Sequence, residues 1–168
     1  MEKKKARSIA LEERKGFDPR SRSLALVNKI IESKILDKFN NIGIYYPIGY
    51  EMDITPLVDY YSDKSFYLPI IREEIAFKPY SNILVKGLFH SYEPKYGEIV
   101  ERDSIDCFII PCVGISVNNR RIGYGKGYYD KYLEGYNGYK IGISYKEHGS
   151  LDCDTDIFDL VLDEKILG

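Results

Sequence analysis

From residue 2 to residue 15 charged positions alternate with Ala6, Ile9, Ala10 and Leu11 at helical spacing, and Gly16 supplies a C-terminal stop. Asp18-Pro19 starts a second helix: the carboxylate can cap free backbone N–H groups, and proline at the first helical position gives up an N–H that would be orphaned anyway. Its predicted buried stripe is Leu24, Val27, Ile30, Ile31 and Ile35. After Asn40-Asn41 the period changes. Ile42, Ile44 and Tyr46 alternate and are followed by Pro47 and Gly49, the pattern of a strand ending in a loop. Thr55-Pro56 opens a short helix to Tyr61. Further strands are predicted over 64–68, ending at Pro69, and over 75–77, and the stretch between Pro79 and Ser104 reads mostly as loop. Residues 107–110 form an unbroken apolar run before Pro111, as in a strand covered on both faces. A helix over 128–133 and strands over 140–145 and 158–162 complete the chain.

Strands interleaved with helices predict an α/β fold: one domain over residues 1–168, with an open, mostly parallel, Rossmann-like sheet and helices on both faces. Ligands in such folds gather at the carboxyl ends of strands. Twenty-four Lys and Arg against 26 Asp and Glu give a net charge of -2, so no global basic field recruits nucleic acid and any anion site must be local. Three cysteines, Cys107, Cys112 and Cys153, lie far from His90 and His148 in any zinc-like spacing and read as reduced thiols. No window approaches the roughly 18 apolar residues that a membrane span needs. The N-terminus has no apolar run of signal-peptide length, so the expected setting is soluble and cytoplasmic.

The candidate chemistry sits in Gly-Tyr-Gly-Lys-Gly-Tyr-Tyr-Asp at 123–130. Glycine at every second position lets backbone approach a polyanion and present N–H groups to it, and Lys126 adds a positive charge. Asp130, in the first turn of the following helix, is placed to hold Mg²⁺ beside a nucleotide, or simply to complement the helix dipole. A Walker loop requires Ser or Thr after its Lys, where this chain has Gly127. A dinucleotide fingerprint requires a glycine where it has Tyr128.

With their flanks, Ile109-Ile-Pro-Cys-Val-Gly-Ile and Arg121-Ile-Gly-Tyr-Gly-Lys-Gly-Tyr-Tyr-Asp-Lys-Tyr-Leu133 closely resemble the signature of 5-formyltetrahydrofolate cyclo-ligases, also called methenyltetrahydrofolate synthetases. The resemblance implies an ATP- and Mg²⁺-dependent closure of 5-formyltetrahydrofolate, with or without a polyglutamate tail, to 5,10-methenyltetrahydrofolate through an imidate phosphate, with ADP and phosphate released. It also implies an architecture shared with sugar-phosphate isomerases and CoA-transferases; a monomer is expected. Lys3 and Arg7 match the family's Lys-x-x-x-Arg pair for ATP. Arg121, Ile122, Gly123, Tyr124, Gly125, Lys126, Gly127, Tyr128 and Tyr129 would line ATP, with Lys126 and Arg121 stabilising charge during phosphoryl transfer. Tyr46, Glu51, Phe89, Tyr124 and Tyr128 would contact the folate. Asp130, and Asp156 among the C-terminal aspartates, would hold the metal. Against the family pattern stand Cys112, His90, Ser91, Tyr92 and Ser116, the last removing a charge near the loop. Those departures leave room for a non-catalytic folate- or nucleotide-binding paralogue. The shared architecture leaves room for an isomerase-like or CoA-transferase-like enzyme.

Overall fold

A computed structural model describes all of residues 1–168. In chain order its elements are α1 (Lys3–Glu13), α2 (Pro19–Ser33), β1 (Asn41–Gly43), α3 (Pro56–Tyr60), β2 (Ser65–Ile71), β3 (Ile75–Pro79), β4 (Leu84–Lys86), β5 (Tyr92–Pro94), β6 (Cys107–Pro111), β7 (Gly114–Ile115), β8 (Arg121–Ile122), α4 (Tyr128–Tyr132), β9 (Tyr139–Ser144) and β10 (Glu164–Leu167). Six strands form the main sheet in the order β10-β9-β6-β1-β2-β3, parallel throughout except for the β2–β3 hairpin. The α/β expectation therefore holds, with β3 as the antiparallel edge.

Alternation along the strands divides the core between the two faces of the sheet. Cys107 and Ile109 join Ile42, Ile44, Ile141 and Ile143 against Leu26, Val27 and Ile30 of α2 and Leu57 of α3. Phe108 and Ile110 point the other way, to Phe77 and to Tyr129, Leu133 and Tyr136 around α4. Every residue of β6 is buried, as its unbroken apolar run predicts. The Asp18 carboxylate caps α2 by accepting the Arg20 N–H at 3.1 Å.

Four expectations need correction. Leu24 is exposed, and Leu26 takes its place in the core with Val27 and Ile30, because the buried stripe runs through 23, 26, 27 and 30. The segment 79–104 contains the ribbon β4–β5, and the buried Glu93 carboxylate pins it to the end of β2 by accepting the Ile71 N–H at 2.7 Å. The last strand is β10. Residues 158–162 bond instead to the β7–β8 hairpin, with the Arg121 N–H on the Leu160 carbonyl and the Leu162 N–H on the Asn119 carbonyl. Finally, β2 runs through Pro69. The β1–β2 ladder ends with the Ile44 N–H on the Tyr67 carbonyl, and its next bond would need an N–H that Pro69 lacks. Proline thus stops the β1 pairing and releases Tyr45 and Tyr46 from the sheet.

The chain leaves β1 toward β2 on one side and later returns to β6 on the other, so the strand order reverses between β1 and β6. The carboxyl ends of these two neighbours are where an open α/β sheet forms a crevice.

Candidate active site

Two cavities meet at that crevice, and the glycine loop is their common wall. One is a polar cleft of about 630 Å³ lined by Lys3, Arg7, Arg121, Gly123, Gly125, Gly127, Asp130 and Asp156. The other, about 220 Å³, is walled by Tyr45 and Tyr46 after β1, Pro69 and Ile71 of β2, Pro111 of β6, Phe89, Tyr92, Tyr124, Lys126, Tyr128 and Tyr129. The loop faces them alternately. Gly123 and Gly125 line the cleft, Tyr124 and Lys126 line the aromatic pocket, and Arg121 and Gly127 border both.

This alternation changes the meaning of individual residues. Arg121 is buried and donates from Nε and Nη2 to the Pro111 carbonyl at 2.9 and 2.7 Å, with its guanidinium 4.7 Å from the Tyr129 ring centroid. A Cβ on Gly123 would collide with that guanidinium, so this glycine makes room for an arginine of its own chain as well as for a ligand. Gly125 and Gly127 have φ of +100° and +74°, which side-chain-bearing residues rarely adopt. Lys126 turns away from the polar cleft: it is exposed and its Nζ lies 5.5 Å from the Phe89 ring centroid. Ile122 is fully buried and lines neither cavity. Because α4 has only five residues, its N-terminal dipole is small, and the cleft draws its positive character from side chains.

On the cleft side, Arg7 Nε donates to the Gly123 carbonyl at 2.6 Å. Lys3 Nζ lies 2.6 Å from Asp159 Oδ1 and 3.5 Å from Asp156 Oδ2. Asp156 is the more exposed of that pair, and the backbone N–H groups of Phe158 and Asp159 help to hold its carboxyl below the usual range. Asp130 Oδ1 accepts the Leu160 N–H at 3.0 Å. No three acidic, His or Cys side chains converge to form a metal cage. Asp130 and Asp156 nevertheless line the same polyanion-sized cleft, and Mg²⁺ needs only one or two protein carboxylates when phosphates supply other ligands. With Lys3, Arg7 and Arg121 beside them, this donor set fits a magnesium nucleotide.

On the pocket side, Tyr46 packs edge-on against Tyr92 at 5.6 Å, and Phe89 lies 6.1 Å from Tyr128. Phe89 and His90 hold consecutive φ values of 56° and 61°, a costly backbone for non-glycine residues that sets the Phe89 ring at the pocket mouth. Glu51 is buried, and burial raises its pKa even though Oε1 accepts the Ile48 N–H at 2.9 Å and Oε2 accepts the Tyr124 hydroxyl at 2.8 Å. Burial likewise pushes the Tyr124 hydroxyl up.

All the sequence-derived candidates except Ile122 therefore gather at the two cavities. The sequence reading missed Arg14, which is buried and donates to the Tyr124 hydroxyl at 2.8 Å. A signal for it existed: Lys3, Arg7, Ala10 and Arg14, at i, i+4, i+7 and i+11, form one helical stripe. Ser116 is not in the cleft. It is fully buried in the β7–β8 turn, where its hydroxyl bonds Asn118 and accepts the Arg120 N–H, and Asn119 supplies a left-handed residue at φ 60°. Cys112 is buried, and burial pushes its thiol up to about 11.

The family model for the 5-formyltetrahydrofolate cyclo-ligase family matches residues 2–148. A curated 5-formyltetrahydrofolate cyclo-ligase of Mycoplasma pneumoniae is 46% identical over 65 residues, which cover 38% of this chain and 39% of that protein. That of Mus musculus is 24% identical over 96% of this chain and 87% of its own length. Among solved structures, the 5,10-methenyltetrahydrofolate synthetase of Aquifex aeolicus superposes with a TM-score of 0.86 at 28% identity, over 99% of this chain and 90% of that one. Its Mycoplasma pneumoniae counterpart gives 0.80 at 27%, over 99% and 98%. The family match takes in the glycine loop, the aromatic pocket and the Lys3–Arg7 side of the cleft, with Asp156 beyond its end, and the chain belongs to the 5-formyltetrahydrofolate cyclo-ligase family.

Proposed function

We propose that this protein closes 5-formyltetrahydrofolate to 5,10-methenyltetrahydrofolate at the expense of ATP, with nucleotide in the polar cleft and folate in the aromatic pocket. The observation that carries the reading is the alternating glycine loop, which sets a cationic cleft and an aromatic pocket back to back with Arg121 and Gly127 bordering both. ATP, when bound, supplies the phosphoryl group that turns the formyl oxygen into a leaving phosphate, and Mg²⁺ offsets the charge on it.

The chain's own work is positioning and charge stabilisation. Lys3 and Arg7 grip the polyphosphate, and Asp130 and Asp156 hold the metal. Arg121, fixed by the Pro111 carbonyl, presents a preorganised positive charge at the border where phosphoryl passes from one cavity to the other. Lys126 adds a positive charge on the folate side. Tyr46, Phe89 and Tyr128 pack the flat rings, while Glu51 accepts N–H groups of the pterin. Holding the 10-nitrogen beside the activated carbon favours ring closure through orientation. No side-chain nucleophile is needed, which suits a site whose nearest cysteine, Cys112, is buried with its pKa raised.

The test is direct: mix protein, Mg²⁺-ATP and 5-formyltetrahydrofolate and follow the methenyl product by its near-ultraviolet absorbance. Product must form only with ATP and Mg²⁺ present. Folate binding without turnover would instead identify a binding paralogue.

A further inference from the structure

Helix α1 and the turn that continues it hold two consecutive residues of the glycine loop. Arg7 donates to the Gly123 carbonyl at 2.6 Å, and Arg14, in the 3₁₀ turn that continues α1, donates to the Tyr124 hydroxyl at 2.8 Å. Arg14 is only 6% exposed, and its guanidinium also lies 5.4 Å from the Tyr124 ring centroid. Arginine is almost never buried to this degree without a bound partner. Its partner here is the hydroxyl of a tyrosine that lines the aromatic pocket.

The hydrogen-bond inventory then fixes a direction. A guanidinium cannot accept, so the single hydrogen of the Tyr124 hydroxyl must turn elsewhere, and it is donated to Glu51 Oε2 at 2.8 Å. The Ile48 N–H holds the other oxygen at 2.9 Å. Arg14, Tyr124 and Glu51 thus form a one-way chain from α1 into the pocket. Earlier along the same helix, Lys3 and Arg7 line the polar cleft.

We infer that Arg14 is a positioning residue that acts through Tyr124 and Glu51 to make folate binding in the aromatic pocket depend on nucleotide in the polar cleft. The inference rests on the cyclo-ligase reading of both cavities. A polyphosphate gripped by Lys3 and Arg7 fixes α1 against the loop. Arg14, carried on that helix, then fixes the hydroxyl that orients the folate-reading carboxylate. By linkage, folate tightens nucleotide binding by the same factor.

The experiment measures the Kd of 5-formyltetrahydrofolate by calorimetry on the full chain, with and without a non-hydrolysable ATP analogue and Mg²⁺. In the wild type the analogue should tighten folate at least about fivefold, the lower end of measured couplings. Arg14→Met should bring that ratio to about one while the analogue's own affinity without folate stays within about twofold of wild type, a split that general destabilisation does not produce. Arg14→Lys should retain part of the coupling. Tyr124→Phe should abolish it, and adding Arg14→Met to Tyr124→Phe should change nothing further. A wild-type ratio near one, or full coupling in Arg14→Met or Tyr124→Phe, overturns the inference and leaves the cyclo-ligase reading standing. Failure of the wild type to bind folate, or to form product with Mg²⁺-ATP, overturns both. Should Arg14→Met not fold, Arg14→Lys and Tyr124→Phe decide the matter alone.

Discussion

The two sides of the glycine loop are built by opposite means. The polar cleft draws most of its charged side chains from distant parts of the sequence, with Lys3 and Arg7 at the start and Asp156 near the end, while the loop adds Asp130 and glycines without Cβ. The aromatic pocket takes bulk from the loop itself, through Tyr124, Tyr128 and Tyr129, and closes it with the segment after β1, the end of β2, and Phe89 and Tyr92. One short strip of chain that presents successive residues to alternate cavities serves both. A polyanion needs backbone approach and mobile cations, whereas flat rings need fixed, packed walls. Two-residue periodicity lets a single loop meet both demands.

The sharpest way to break this division is at the border. Arg121→Met removes the one cation lining both cavities, and turnover should fall by about a hundredfold or more, the size expected when a preorganised charge-stabilising donor is lost. Steady-state kinetics on folded variant checks this, and a loss confined to the KM for one substrate would show that Arg121 serves one side only.

Lys126→Ala comes next, with a loss of at least about tenfold in turnover, about 1.4 kcal/mol in the barrier. Because Lys126 faces the pocket, the KM for folate should rise more than that for ATP; the reverse ordering in a two-substrate titration would return this lysine to the phosphate side.

Gly127→Ala tests the backbone alone. Its φ is +74° and nothing lies within 4 Å of an added Cβ, so the cost is conformational, about 1 kcal/mol in denaturant unfolding. The accompanying weakening should be greater for nucleotide than for folate. No loss of stability would mean that the loop can relax to negative φ, and the glycine would then have no conformational reason to be there.

The smallest effect concerns Glu51 and pH. Burial raises its folded-state pKa above the ordinary 4.5, so the folded state binds the extra proton. Its contribution to stability therefore falls as pH rises from about the ordinary value through the raised one, and the cost of the buried charge is complete above that window. Glu51→Gln removes this dependence. Subtracting the wild-type Tm from that of the variant at each pH should give a difference that grows with pH across the window, alongside a raised KM for folate. A flat difference would mean that burial of the charge is not felt.

Much of the site could be read from the sequence because its parts are short-range. The loop's glycines, its tyrosines and the Asp18-Pro19 helix start each follow from the conformational rules of a few adjacent residues. The Lys3–Arg7 pair was legible through its match to the family's Lys-x-x-x-Arg motif. Arg14 was legible only as another charge on an amphipathic helix. Its burial depends on where that helix lands, on a loop more than a hundred positions away. Ser116 misled in the opposite sense: close to the loop in sequence, it is folded into a turn behind it.

By itself, then, the sequence determined the alternation of secondary structure, the apolar β6 strand at the centre of the sheet, and the family, since all three depend on local periodicity or contiguous motifs. Only the tertiary structure decided which face of the glycine loop meets which cavity, that Gly123 accommodates Arg121, that Lys126 turns toward the aromatic pocket, and that α1 reaches both sites. Those facts depend on long-range register, set when the β1 ladder ends opposite Pro69 and the chain ends of β1 and β6 come together, and no local pattern encodes that meeting.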